Sequence, residues 1–117
     1  MPRKEDFIRI RHMRDAANDA LTILNGKTRE DFDKEITLRL SVFHCIEIVG
    51  EAASRVSRET QEKYPSVPWR KIVNMRNRII HVYFDINHDI VWKTAVEALP
   101  PLMATLNTVL HDEGAGQ

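Results

Sequence analysis

Arginine, asparagine, histidine and tyrosine crowd together in the stretch Arg76-Asn77-Arg78-Ile79-Ile80-His81-Val82-Tyr83. Histidine titrates near neutrality and can take a proton from an RNA 2′-hydroxyl or give one to a 5′-oxygen leaving group. Arginine offers a fixed fork of donors that fits phosphate oxygens and stabilises charge developing in a transition state. On that chemistry Arg76 and His81 are the catalytic candidates, with Asn77, Arg78 and Tyr83 as substrate-binding and orienting groups. Such a set would cleave RNA without a metal, the neighbouring 2′-hydroxyl attacking to leave a 2′,3′-cyclic phosphate. The surroundings favour an anion: from Lys63 through Phe84 there are five Lys/Arg residues and no Asp or Glu, in a chain balanced at 17 positive and 17 negative residues. A neutral protein that gathers cations at one place has a local anion site rather than a broadly adhesive surface.

Spacing qualifies this picture. Asn77 and His81 are four residues apart and share a helix face if the helix runs that far, whereas Arg76 and His81 are five apart, about 140° around an ideal helix. Arg76 therefore reaches the imidazole through its long side chain, through a helix irregularity near Ile80, or from a second copy of the chain across a two-fold axis. The pair also reads as a solvated helix end, with His81 favoured beside a C-terminal dipole, and Tyr83 as a half-buried packing aromatic.

Other polar residues carry weaker signals. His44, Glu47, Glu51, Arg55 and Arg58 fall on one face at helical spacing. Glu51 reads as the partner of Arg55 in an exposed pair worth a few tenths of a kcal/mol, on the order of 0.3. Glu47, among Phe43, Ile46 and Ile48, is the carboxylate better suited to orient Arg76 or His81 or to raise the histidine pKa. His44, Glu47 and Glu51 present ligand types to one side, but no second histidine pair supports a metal, and none is expected. His12, His88 and His111 read as isolated surface residues, and Cys45 as core rather than nucleophile.

The elements that must hold the motif are helical throughout. Ile10, Met13, Ala17, Leu21 and Leu24 make one buried stripe ending at Asn25-Gly26. Thr28-Arg29-Glu30-Asp31 reads as a capping box. The stretch from about Phe32 to Ser57 is expected as one central helix, apolar over most of its circumference between Ile36 and Ala53. Pro68 suits the start of a helix over about 68–80, with Trp69, Ile72, Val73 and Ile79 turned to the core. Asp85-Ile86-Asn87 is a connection, Asn87 capping a last helix whose stripe is Trp92, Val96, Leu99, Met103, Leu106 and Leu110. Pro100-Pro101 must kink or briefly break that helix. The expected architecture is an all-α antiparallel bundle of four to five helices, one domain over 1–113 with a frayed tail over 114–117.

The bulk composition narrows the class. At 117 residues the chain suffices for one domain with its own core. A single cysteine excludes an intramolecular disulfide framework and gives no reason for an oxidising compartment. No apolar run approaches the ~20 residues of a membrane span, nor is there a signal-type segment, so a soluble, cytoplasmic protein without membrane partners is expected.

The string 76–83 resembles the R-x4-H-x-Y signature of HEPN ribonucleases, and specifically the HepT-like toxins of HepT–MntA toxin–antitoxin systems. The resemblance extends to Cys45-Ile46-Glu47-Ile48-Val49-Gly50-Glu51-Ala52-Ala53, to Tyr64-Pro65-Ser66-Val67-Pro68-Trp69-Arg70-Lys71-Ile72, and to Asp89-Ile90-Val91-Trp92 and Leu99-Pro100. It implies a helical homodimer whose two motifs face a composite cleft, with Arg76 and His81 catalytic and Asn77 beside them. It also implies an RNA substrate, mRNA or tRNA, and an antitoxin partner: a minimal nucleotidyltransferase that moves AMP from ATP onto the motif tyrosine, here Tyr83. Bulk and phosphate charge added there would block an RNA cleft. Val82 stands where many such proteins have glycine. The rival expectation is a non-catalytic helical dimer that binds a nucleotidyltransferase and nucleotide or nucleic acid without cutting.

Overall fold

Among the described residues, four long helices and several short ones follow from the pattern of apolar residues and caps. The computed structural model describes residues 3–79 and 87–115, the side chains of residues 76, 77, 114 and 115 excepted. No strand occurs among the described residues, and no helix there is long and apolar enough to cross a membrane.

Helix α1 spans Lys4–Leu24 and buries Phe7, Ile10, Met13, Ala17 and Leu24 along one side. It stops where expected, because Gly26 takes φ +76°, the left-handed region that glycine enters without steric cost. Helix α2, Arg29–Lys34, opens on the anticipated capping box: the Asp31 N–H donates to Thr28 Oγ1 at 3.1 Å and the Thr28 N–H to Asp31 Oδ2 at 2.9 Å. The single helix expected from Phe32 to Ser57 is instead divided. Glu35 is extended, with φ −100° and ψ 99°, and helix α3 runs Ile36–Ser54. The Arg39 guanidinium donates to the Phe32 and Asp33 carbonyls, acceptors that the break deprives of helical partners. Beyond α3, Arg58 belongs to helix α4, Arg58–Lys63, capped by Ser57.

Helix α3 is central as the sequence implied. It packs on α1, α2, α5 (Trp69–Ile79) and α6 (His88–Lys93), with Val42, Ile46, Val49 and Ala53 almost wholly buried. In α5 the core residues are Trp69, Ile72, Met75 and Ile79. Val73, expected inside, is 37% exposed; it sits 100° around the helix from Ile72, on the far side from Met75 and Ile79.

After the cap at Asn87, whose side chain accepts from the Ile90 N–H at 3.0 Å, α6 passes into a π-helical turn, Thr94–Ala98, and then into α7, Leu99–Ala115. The prolines explain the wide turn. Pro100 and Pro101 follow the turn directly, and without N–H groups they cannot donate to the carbonyls one turn before them. The departure from α geometry therefore falls just before the prolines rather than at them. Its extra residue per turn rotates the stripe: Val91, Ala95, Leu99, Leu102, Leu106 and Val109 are buried, while Val96 is exposed and Trp92, Met103 and Leu110 are only partly covered. Helix α7 continues through Ala115, two residues into the segment expected to fray.

One buried acid ties the start of α1 to the cap of α4. Asp6 is 1% exposed and accepts from the Ser57 N–H at 2.9 Å, the Ser57 hydroxyl at 2.6 Å and the Thr60 hydroxyl at 2.6 Å. Burial pushes its carboxyl upward, but those hydrogen bonds outweigh burial and hold it below the ordinary carboxylate value. A carboxyl depressed in this way contributes stability that is present above its unfolded pKa and lost as pH falls through the folded one. Asp6→Ala is expected to lower unfolding free energy by about 3 kcal/mol in urea titrations at pH 7, since charged hydrogen bonds are lost and buried donors orphaned. The gap between the two proteins should close as pH falls below about 4.

Candidate active site

The amino-terminal end of α5 is fastened at two points. The Trp69 indole N–H donates to the Tyr64 carbonyl at 3.0 Å, and the Tyr64 hydroxyl donates to Asp112 Oδ2 of α7 at 2.9 Å. Burial, the hydrogen bond to Asp112 and the negative charges of Asp112 and Glu113 push the Tyr64 phenol up to about 12. The middle of α5 lies close against α3. A Cβ built on Gly50 would stand 3.3 Å from the Ile72 carbonyl oxygen, so the absence of a side chain sets how near the two helices come.

The carboxyl-terminal end is fastened too. The Asn87 N–H donates to the Ile79 carbonyl at 3.0 Å, so the chain leaves α5 and returns to α6 at one hydrogen-bonded neck. His81, Val82 and Tyr83, with Asp85 and Ile86 of the expected connection, lie outside the described residues. Arg76 and Asn77 are placed by backbone, three and four residues beyond Val73 and so one turn along its side of the helix.

That side of α5 opens on a groove of about 970 Å³ formed with α1 and α3. Glu47, the candidate orienting carboxylate, lines it and is half-buried. Around it stand Ile48 and His44 of α3, with Arg9 and His12 of α1. The Arg9 guanidinium also donates to the Arg55 carbonyl at 3.2 Å, closing one end. Glu51 pairs with Arg55 at 2.9 Å, both side chains well exposed, as its spacing suggested. Among the described residues no three His, Cys, Asp or Glu side chains converge as metal ligands would. Cys45 is buried, and burial foremost raises its thiol pKa, which makes it a poor nucleophile.

Two histidines are less isolated than spacing suggested. His12 shares the groove with His44, because α1 crosses α3 there. His88 stacks edge-on against Phe32 at 6.3 Å between ring centres and lies 3.4 Å from Asp33, itself held by Arg29. The groove residues of α1 were missed by reading the motif alone. Their signal was present: Glu5, Ile8, Arg9 and His12 recur at three and four residues on the face opposite the α1 stripe. Arg78 is exposed on the other flank of α5, away from Val73. The α3–α5 contact can be tested by substituting Val for Gly50. Branched bulk against the Ile72 carbonyl should cost about 1–3 kcal/mol in denaturant unfolding, whereas an unchanged midpoint would show that α5 can simply step aside.

Comparison with known proteins covers most of the chain. Residues 13–109 match the family described as HepT-like, ribonuclease HepT-like. A protein of Caldanaerobacter subterraneus named "Putative RNase TTE0752" is 36% identical over 90 residues, 77% of this chain and 80% of that one. "Putative RNase MJ1380" of Methanocaldococcus jannaschii is 32% identical over 95 residues, covering 81% and 87%. "Probable ribonuclease HepT" of Thermococcus cleftensis is 32% identical over 88 residues, covering 72% and 80%. No solved structure matches the chain. With the matched span running from the middle of α1 to near the end of α7 and enclosing residues 76–83, the chain belongs to the HepT-like family of HEPN ribonucleases.

Proposed function

We propose that this protein is the toxin of a toxin–antitoxin pair, a metal-independent endoribonuclease. The observation that carries the reading is the family match over residues 13–109, which encloses the string Arg76 to Tyr83. In it His81 exchanges the proton as the 2′-hydroxyl attacks and the 5′-oxygen leaves. Arg76 stabilises the phosphorane-like charge and Asn77 holds the flanking backbone, while Arg78, on the other flank of α5, meets the strand beyond the cleft. Glu47 orients the guanidinium or the imidazole in this scheme; its half-buried position in the groove supports that role.

A homodimer with a shared cleft belongs to the same proposal. Ile36, Leu40 and Ile48 are 59%, 49% and 37% exposed at four- and eight-residue spacing along α3, and Ile8 and Val73 line the groove with Ile48. Exposed apolar side chains recurring along one helix face support an interaction face there. Tyr83 is the proposed target of AMP transfer by a cognate MntA-like nucleotidyltransferase. The added phosphate would repel RNA and occupy its place. Cleavage of mRNA or tRNA in the cytoplasm fits the reading.

His81→Ala and Arg76→Ala should each lower cleavage of single-stranded RNA in EDTA by at least about 100-fold without altering thermal melting. Wild type and both variants being equally inert would favour a binding module that does not cut. Leu40→Glu combined with Ile48→Glu should shift sedimentation to the monomer and abolish cleavage. Mass spectrometry after incubation with the nucleotidyltransferase and ATP should find AMP on Tyr83, and modification elsewhere would remove the proposed switch.

A further inference from the structure

The flank of α5 opposite the groove carries a second concavity. Lys71, Met75 and Arg78 recur at four and three residues and so share one face. Across from them are Thr94 and Ala98 of the π turn and Pro101, Leu102 and Thr105 of α7. Between the two walls is a cavity of about 400 Å³, within the size range of small-ligand pockets. It exists because α5 packs on α3 and α6 but scarcely touches α7. The π turn and the proline pair keep α7 from closing the gap, and widened turns of this type recur at binding sites.

Its chemistry differs from that of the groove. The floor is apolar and buried: Ile72 is 3% exposed, Leu99 0%, Leu102 7% and Met75 8%. Lys71 and Arg78 stand exposed at the rim, and neither has a carboxylate partner among the described residues. Among the described residues no Asp or Glu lines the cavity, whereas Glu5, Glu47 and Glu51 balance the cations of the groove. The Ser66 and Thr94 hydroxyls add neutral donors and acceptors at the edge.

An apolar cavity beside two cations of α5 that have no carboxylate partner among the described residues matches one ligand chemistry well: a heterocycle with phosphate on either side. We propose that this cavity binds one nucleotide of single-stranded RNA, its base in the slot and its flanking phosphates on Lys71 and Arg78. The assignment rests on the ribonuclease reading above and extends it to a site outside the cleft. Arg78 grips a phosphate as a fork and Lys71 as a point charge. The base is held by apolar contact and shape rather than by aromatic stacking, so base preference is weak. Because the two sides of α5 face different ways, the strand passes around this helix, and RNA too short to do so lacks the second anchor.

The test uses the full chain and a fluorescent single-stranded oligoribonucleotide with 2′-O-methyl sugars, which cannot be cut. Affinity is measured across a salt series. Lys71→Ala should weaken binding about fivefold and reduce the log–log salt slope by about 0.7, the value for one lost phosphate contact on a single strand. Ala98→Phe, which fills the slot, should weaken binding about tenfold with little change of slope. Arg70→Ala, on the same helix but outside the cavity, should change neither. Equal losses for Arg70→Ala and Lys71→Ala would overturn the proposal in favour of a diffuse basic surface. Full affinity in Lys71→Ala and Ala98→Phe, beside His81-dependent cleavage, would overturn it while leaving the ribonuclease reading intact. Wild type that binds no RNA would end both. AMP is titrated separately: AMP binding lost in Ala98→Phe, with RNA affinity unmoved, would overturn the strand assignment and leave a mononucleotide pocket.

Discussion

Helix α3 must be shared among its neighbours, and most of the architecture follows from that requirement. It is apolar around most of its circumference, so covering one stripe would leave the others in water. Helices α1, α5, α2 and α6 each take a sector. Gly50 lets α5 approach until its Ile72 carbonyl lies where a side chain would otherwise press. In the remaining sector Ile36, Leu40 and Ile48 stay exposed among the described residues, and Ile48 lines the groove. The position of the motif helix is thus a consequence of how the central helix is covered, with Tyr64, Trp69 and Asp112 fixing its other end.

Charge is distributed with comparable economy. Many acids are already matched on the outer helices: Arg29 bridges Asp33 and Asp89 at 3.0 and 2.6 Å, and Lys34 meets Glu30 at 2.6 Å. Exposed pairs like these contribute little to stability, but they quench much of the field of a chain with no net charge. The cations of α5 that lack such partners then dominate locally, although the total is zero. On one flank of that helix the surroundings are mixed in sign, and on the other they are only positive.

Much of this was legible from residue spacing. The α1 stripe, the glycine stop, the capping box at Thr28 and the Asn87 cap are local rules, satisfied by residues close together in sequence. What escaped were features set by partners far along the chain. Nothing near Glu35 announces a break; it is tolerated because Arg39 reaches back to the carbonyls it exposes. Val73 and Val96 look like core residues because hydropathy reports what a side chain prefers, not which side of a helix its neighbours occupy. The π turn rotated the last stripe by inserting a residue that no periodicity count includes. For the candidate site, the motif could point only to its own residues, whereas His12 and Arg9 line the neighbouring groove only through the crossing of α1 and α3.

The single bond between the Asn87 amide and the Ile79 oxygen has one more implication. Both abutments of the intervening stretch are fixed by the bundle, through the buried Ile79 on one bank and the Asn87 cap on the other. Unpacked residues added between those ends would cost little, about 0.6 kcal/mol of closure entropy for a doubling in length.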